Sequence, residues 1–177
     1  LQDPSLMGED VKFGYSLDMD VDAAGSVVLA VGNTDWTSNM LTGSVELFRR
    51  DNGSGTWSHE ATVQPGIQFP DNWFSYAFGH DIAIDNGMLV VGAPQAKWYA
   101  NFGYFAQLAG DAYLFKATPS SGPAAWTLDS YLNTPTGRGG DVFGYSVGVS
   151  SEHQQVFVGS PYADYMGRNT GLVAVYE

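Results

Sequence analysis

Cysteine is absent from this chain, so neither a disulfide nor a thiolate-held metal is part of it. That absence leaves the compartment open. Basic residues are scarce as well, 7 Lys and Arg against 19 Asp and Glu, for a net charge of -12. Nucleic-acid binding needs a positive surface to displace counterions, and no basic cluster longer than Arg49-Arg50 occurs, which excludes that class of function. The same acidity opposes docking on anionic lipid headgroups; it favours solubility and loose attraction of cations or basic partners. Long hydrophobic runs are missing too: none is longer than Val27 to Val31, far short of a membrane-spanning helix, so no membrane span is expected. No basic-plus-apolar leader opens the chain, which begins Leu1-Gln2; any signal peptide is expected to have been removed or to lie outside these residues. No window sustains an amphipathic helical pattern.

What is present is repetition. Phe13-Gly14, Phe78-Gly79 and Phe143-Gly144 are spaced by a constant 65 residues. After each pair comes an apolar run ending in Val-Gly, at Val27 to Gly32, Met88 to Gly92 and Val156 to Gly159. Asn33-Thr34, Ala93-Pro94 and Ser160-Pro161 follow, and are expected to stop the strand. A second glycine then begins an alternating run that closes on an aromatic five positions later: Gly43 to Phe48, Gly110 to Phe115, Gly171 to Tyr176. The first two copies finish with a tryptophan strand, around Trp57 to Val63 and Trp126 to Leu132, and the third stops before it. Period-two alternation predicts four short antiparallel strands per copy, with hairpin turns at Asn86-Gly87 and Asn52-Gly53. A sheet of this size has two apolar faces and needs neighbours to cover them, which is the logic of propeller blades.

The order Phe-Gly, then Val90-Val91-Gly92-Ala93-Pro94, then Gly to an aromatic resembles the FG-GAP repeat of integrin α-subunit propellers and of many secreted or surface proteins. It looks closest to the type with a Trp strand and no calcium loop. The resemblance spans Phe13 to Tyr176, although only the middle copy has the full Gly-Ala-Pro. It implies an all-β, propeller-like array of three four-stranded antiparallel blades, the third lacking its outer strand. In this reading residues 1–10 are the tail of a preceding outer strand, 11–66 the first blade, 67–135 the second and 136–177 the third. Closed propellers use about four to eight blades, so three copies fall short. Either these residues belong to a longer chain with more blades, the reading favoured here, or two copies of the chain join into a six-blade ring, exchanging strands at the seam.

Several residue groups invite a chemical reading. Asp18, Asp20 and Asp22 have the Asp-x-Asp-x-Asp spacing of a calcium loop, but Ala23 stands where that loop needs glycine, and Gly25 comes two residues late. Residues two apart on an extended strand lie roughly 6.5 Å from each other, too far for all three to grip one ion. No cofactor is therefore expected; if calcium is bound, Asp20, Asp22 and carbonyls of the turn to Gly25 are the ligands. Arg138-Gly139-Gly140-Asp141 has one glycine too many for a cell-adhesion tripeptide and reads as the loop before Phe143, with Asp141 capping the turn. Asn52-Gly53-Ser54 is the one glycosylation sequon, placed in an exposed hairpin, and a plain Asn-Gly turn accounts for the same residues. His59, His80 and His153 sit at different repeat positions with no nucleophile elbow beside them, so the chain is expected not to be an enzyme.

Aromatic residues concentrate in two loops of the middle copy. Phe69, Trp73, Phe74 and Tyr76 precede Phe78, while Trp98, Tyr99, Phe102, Tyr104 and Phe105 lie between its second and third strands. In an up-down blade these connections emerge on one side, so the two clusters are expected to meet. The second loop is also the longest of its kind: Gly92 to Gly110 spans 18 positions, against 11 from Gly32 to Gly43 and 12 from Gly159 to Gly171. Trp36, Tyr162 and Tyr165 occupy equivalent loops of the other copies. An aromatic-rich insertion on one face points to a contact surface, and the competing reading is a local mini-core folded over its own blade. The expected function is a non-catalytic protein–protein interaction module in an extracellular, cell-surface or other secretory-type compartment. A carbohydrate-binding module using the same rings is the alternative.

Overall fold

The computed structural model describes residues 1, 12–22, 25–34, 43–66, 77–96, 98–99, 105–106, 109–118, 124–135 and 138–177. The fold is all-β, and among the described residues there is no helix. Three antiparallel sheets hold it. The first contains β1 (Lys12–Val21), β2 (Val27–Thr34), β3 (Ser44–Arg50) and β4 (Trp57–Val63), in chain order. The second contains β5 (Ile82–Asp85), β6 (Met88–Ala93), β9 (Asp111–Thr118) and β10 (Ala125–Asn133), again in chain order across the sheet. Between β6 and β9 lies a two-stranded ribbon, β7 (Trp98–Tyr99) with β8 (Phe105–Ala106). The third sheet has only β11 (Ser146–Ser150), β12 (Gln155–Ser160) and β13 (Leu172–Tyr176).

Local chemistry accounts for these elements. Asn86 and Gly87 both take positive φ, 44° and 78°, as the tight hairpin between β5 and β6 requires. The hairpin between β3 and β4 differs from the expected Asn52-Gly53 turn. Its left-handed residue is Gly55 at φ 69°, and the Asp51 carboxylate organises the longer loop by accepting the Ser54 N–H at 2.6 Å. Phe-Gly lies within the strand only in β1; in the other copies two residues, His80 and Asp81, intervene before β5 and one, Tyr145, before β11. Gly14, Gly79 and Gly144 all sit near φ +85°, outside strand geometry, and in β1 the pairing is irregular between Phe13 and Leu17. Asn33-Thr34 forms the last two residues of β2 rather than following it, because Asn33 still pairs with both Phe13 and Ser44.

The sheets stack in order, each giving its front face to the back face of the next. Val28, Ala30, Val45, Leu47 and Val63 of the first sheet form one core with Ile82, Ile84, Leu89, Val91, Tyr113 and Phe115 of the second. Met88, Val90, Ala112, Leu114 and Leu132 of the second form another core with Phe143, Val156 and Val158 of the third. In every copy the Phe of Phe-Gly meets the aromatic that closes the third strand, edge to face: Phe13 with Phe48, Phe78 with Phe115 and Phe143 with Tyr176, at centroid distances of 6.2, 6.1 and 6.4 Å.

A single offset relates neighbouring sheets. Ile84 N–H donates to Asp18, Asn86 N–H to Asp20, Val147 N–H to Asp81 and Ser151 N–H to Asp85, all at a sequence separation of 66. The outer strands keep the same offset, since Trp126 Nε1–H donates to Glu60 at 3.0 Å. Glu60 is the extra residue of a bulge in β4, its side chain is 1% exposed, and Arg49 pairs with it and with Asp22. Removing the indole donor leaves part of a buried carboxylate unsatisfied, so Trp126→Phe is expected to lower stability by about 1–2 kcal/mol. Urea unfolding followed by circular dichroism reads that loss, and an unchanged midpoint would show that the cross-sheet bond contributes nothing.

Candidate interaction surface

The Phe-Gly turns hold one side of the stack together. Gly79 and His80 N–H groups both donate to Gly92 O, at 3.2 and 3.3 Å, and Gly144 and Tyr145 N–H groups do the same to Gly159 O, at 3.1 and 3.2 Å. Phe143 N–H also crosses to Ala109 O of the preceding sheet, at 2.9 Å. In the second and third copies these bonds fix the backbone of the residue that follows Phe-Gly, and in all three copies that residue is a ring: Tyr15, His80, Tyr145. The rings touch in sequence. Tyr15 and His80 centroids are 5.3 Å apart and those of His80 and Tyr145 4.8 Å, with tilted planes at 48° and 49°. Both tyrosines are exposed, while His80 between them is partly buried. Burial lowers the His80 pKa below the ordinary imidazole value, with the Tyr145 backbone and Asp81 acting the other way, so the middle rung is a neutral ring at pH 7. A continuous aromatic ladder thus crosses three sheets at the Phe-Gly end of their inner strands.

Two further apolar surfaces close the ends of the stack. On the back of the first sheet Leu17 and Met19 are 67% and 65% exposed, whereas their equivalents one repeat on, Ile82 and Ile84, are 6% exposed each. On the front of the third sheet Val173 and Val175 are 66% and 52% exposed, although Val45, Leu47, Ala112 and Leu114 at the same repeat positions are buried. Phe157 adds a ring to that front face. Among the described residues no fourth strand borders β13 as β4 and β10 border their sheets, and a groove of ≈ 450 Å³ runs along that edge, lined by Pro135, Tyr165 and Val173 among others.

The residues singled out from sequence fare unequally. Phe69, Trp73, Phe74, Tyr76, Phe102 and Tyr104 lie outside the described residues, as does Trp36. Trp98, Tyr99 and Phe105 are placed by their backbone alone, on the ribbon where Tyr99 pairs with Phe105. Tyr162 and Tyr165 are exposed in the connection from β12 to β13. Asp20 and Asp22 are already engaged: Asp20 takes the Asn86 N–H at 2.7 Å, and Asp22 takes the Ser26 N–H and pairs with Arg49. Among the described residues no group of three His, Asp or Glu side chains is placed to hold a metal ion. Asn52 sits exposed in its turn. Asp141 is buried, and its carbonyl accepts the Ser160 hydroxyl at 2.7 Å.

The histidines occupy three unrelated settings. His59 bonds the fully buried Glu46 at 2.8 Å, beside Thr62 Oγ1 on the same carboxylate at 2.6 Å. His80 is the ladder's middle rung. His153 meets Ser150 Oγ at 3.1 Å across an exposed turn, and among the described residues no carboxylate bonds that imidazole, so the pair has no third member to orient it. Sequence reasoning passed over the ladder because it looked for aromatic density in loops; the signal was the ring following every Phe-Gly, visible only when the copies are aligned on that pair. No protein-family model matches the chain, and no curated protein does either.

Proposed function

We propose that this chain is a non-catalytic protein-interaction module, a section of an FG-GAP-type β-propeller that serves as a scaffold or adhesion-type part of an extracellular or surface assembly. The propeller reading draws support from the constant 66-residue offset between sheets and from inner strands β1, β5 and β11 lying side by side through their Asp-to-backbone bonds. The interaction reading rests on one observation: the Tyr15–His80–Tyr145 ladder, with two of its three rings exposed at the end of the stack where the Phe-Gly turns lie. Exposed tyrosines held on a rigid backbone offer large amphipathic contact area at low entropic cost, as interface centres do.

The aromatic loops of the middle copy extend the same proposal to Trp98 and its neighbours. Soluble polysaccharides and candidate protein partners are the two ligand classes to set against each other. On this reading no polysaccharide is retained in an affinity-gel panel, and a protein partner captured by the chain is lost in a Tyr15→Ala, Tyr145→Ala double variant. Polysaccharide binding that disappears in Trp98→Ala would overturn the protein-partner reading in favour of a carbohydrate-binding module.

A further inference from the structure

We infer that the two end faces of the stack are complementary, and that a second copy of this chain docks head to tail, front of the third sheet against back of the first. The inference takes the stacked-sheet part of the proposed reading as its premise and makes no use of the protein-binding role given to the ladder. Its warrant is that the same interface is already made twice inside the molecule. Front faces of the first and second sheets bury Ala30, Val45 and Leu47, then Val90, Ala112 and Leu114; the third sheet offers Phe157, Val173 and Val175 at those positions, exposed. Back faces of the second and third sheets use Ile82 and Ile84, then Val147 and Val149; the first sheet offers Leu17 and Met19, exposed. Each face has the shape and apolar character of the one it lacks. Isolated apolar patches of this kind on an acidic chain are costly unless covered.

Polar groups at the seam fit the same partner, with one graded difference. Tyr145 of one copy would meet Tyr15 of the next, continuing the ladder at its existing spacing of about 5 Å. The inner-strand acceptors Asp20 and Asp85 correspond to Ser150, and Asp81 to Ser146. At the intermolecular seam a hydroxyl therefore stands where the internal seams use Asp20, Asp81 and Asp85, and Gly148 stands where they use Asp18. In the first sheet Met19 N–H already turns to its own neighbour Asp18, at 2.9 Å. The seam between copies is thus the weaker one, and the pair forms and separates with concentration. Head-to-tail contacts close only when the rotation allows it; two copies give six sheets, inside the range of about four to eight over which such rings close.

Sedimentation equilibrium on the 177-residue chain tests this directly. A 19.0 kDa monomer in reversible equilibrium with a species of twice that mass is expected. Val175→Glu and Met19→Glu, both at exposed positions so that the fold is kept, should each give monomer, with circular dichroism unchanged. Mixing the two variants sets one undamaged front against one undamaged back and the two glutamates against each other at the other seam, so an open pair weaker than that of the unaltered chain is expected. Ser150→Asp, which installs the acceptor used at the internal seams, should lower the dissociation constant roughly tenfold. A chain that stays monomeric at every concentration, a pair that survives Met19→Glu but not Val175→Glu, or open-ended polymers would each overturn the closed head-to-tail pair. Met19→Glu and Val175→Glu leave Tyr15 and Tyr145 in place, so the ladder's binding role is still read separately, by the polysaccharide and partner experiments.

Discussion

Gly92→Ala is expected to destabilise the fold by about 3 kcal/mol or more, because the added methyl meets backbone that cannot step aside. A Cβ on Gly92 would stand 2.1 Å from Gly144 O and 3.1 Å from Gly144 C, atoms of the Phe-Gly turn of the next sheet. The turn is itself pinned, by Gly144 and Tyr145 N–H bonds to Gly159 and by Phe143 N–H to Ala109, so relief requires the two sheets to separate. Gly32 makes the same approach one repeat earlier, 2.4 Å from Gly79 O. Backbone conformation plays no part at Gly92, which does not have positive φ, so the effect is steric alone. Two controls isolate it. Gly148→Ala, whose Cβ meets nothing closer than 3.8 Å, should change stability by no more than about 0.5 kcal/mol. Gly159→Ala, the equivalent in the third sheet, meets only the Ser146 side chain closely, at 2.2 Å for Oγ, and a rotating hydroxyl relieves part of that clash. Urea midpoints should therefore fall in the order Gly148→Ala, Gly159→Ala, Gly92→Ala; equal midpoints for the last two would show that the close backbone approach is not what makes glycine necessary.

The repeat was legible because its landmarks are the residues that touch. Phe-Gly, the Val-Gly glycine, the second glycine and the closing aromatic were read from spacing alone, and in space the Phe packs on the aromatic while the glycines admit the next turn. Outer strands were legible for a similar reason: Trp57 to Val63 coincides with β4, and Trp126 to Leu132 lies within β10. Turn chemistry was only half legible. Asn86-Gly87 forms the tight turn its dipeptide favours, whereas Asn52-Gly53 yields to Asp51 and Gly55, whose side-chain bond and positive φ set a longer loop.

Side-chain roles across the stack were not legible. Asp18, Asp20 and Asp22 raised calcium as one reading because their spacing is that of a metal loop, but each carboxylate spends its lone pairs on an N–H or a guanidinium. Met19 and Ser26 N–H bond Asp18 and Asp22 locally, but the cross-sheet donors stand 66 positions away for Asp18 and Asp20, and the guanidinium on Asp22 stands 27 away. The offset of 66 against a repeat of 65 means that a residue bonds not its own equivalent but the one after it. Alignment on Phe-Gly places Ala83 beside Asp18, and only the stagger of adjacent inner strands brings Ile84 N–H to that carboxylate.

Asp111→Asn should raise stability at pH 8 by on the order of 4 kcal/mol and leave it nearly unchanged at pH 4. Asp111 opens β9 at 2% exposure, and among the described residues its Oδ1 has no hydrogen-bond partner. Burial pushes its pKa up from 3.8 to about 7, with the Tyr131 hydroxyl pulling the other way. Below pH 3.8 the acid is neutral folded or unfolded, and its burial carries no ionisation penalty. Between pH 3.8 and about 7 the unfolded chain has released this proton and the folded one retains it, so stability falls as pH rises, by about 1.4 kcal/mol per unit. Above pH 7 the folded carboxylate is ionised in its buried site and the loss is complete. Asparagine keeps the shape without the proton, and the remaining carboxylates act alike in both proteins, so the difference between the two curves reports Asp111 alone. The repeat does not demand an acid here, since Ser44 and Leu172 occupy the equivalent positions. Thermal melts of both proteins from pH 4 to pH 8 should diverge steadily toward the alkaline end, and curves that run parallel throughout would show that Asp111 ionises as freely in the fold as in water.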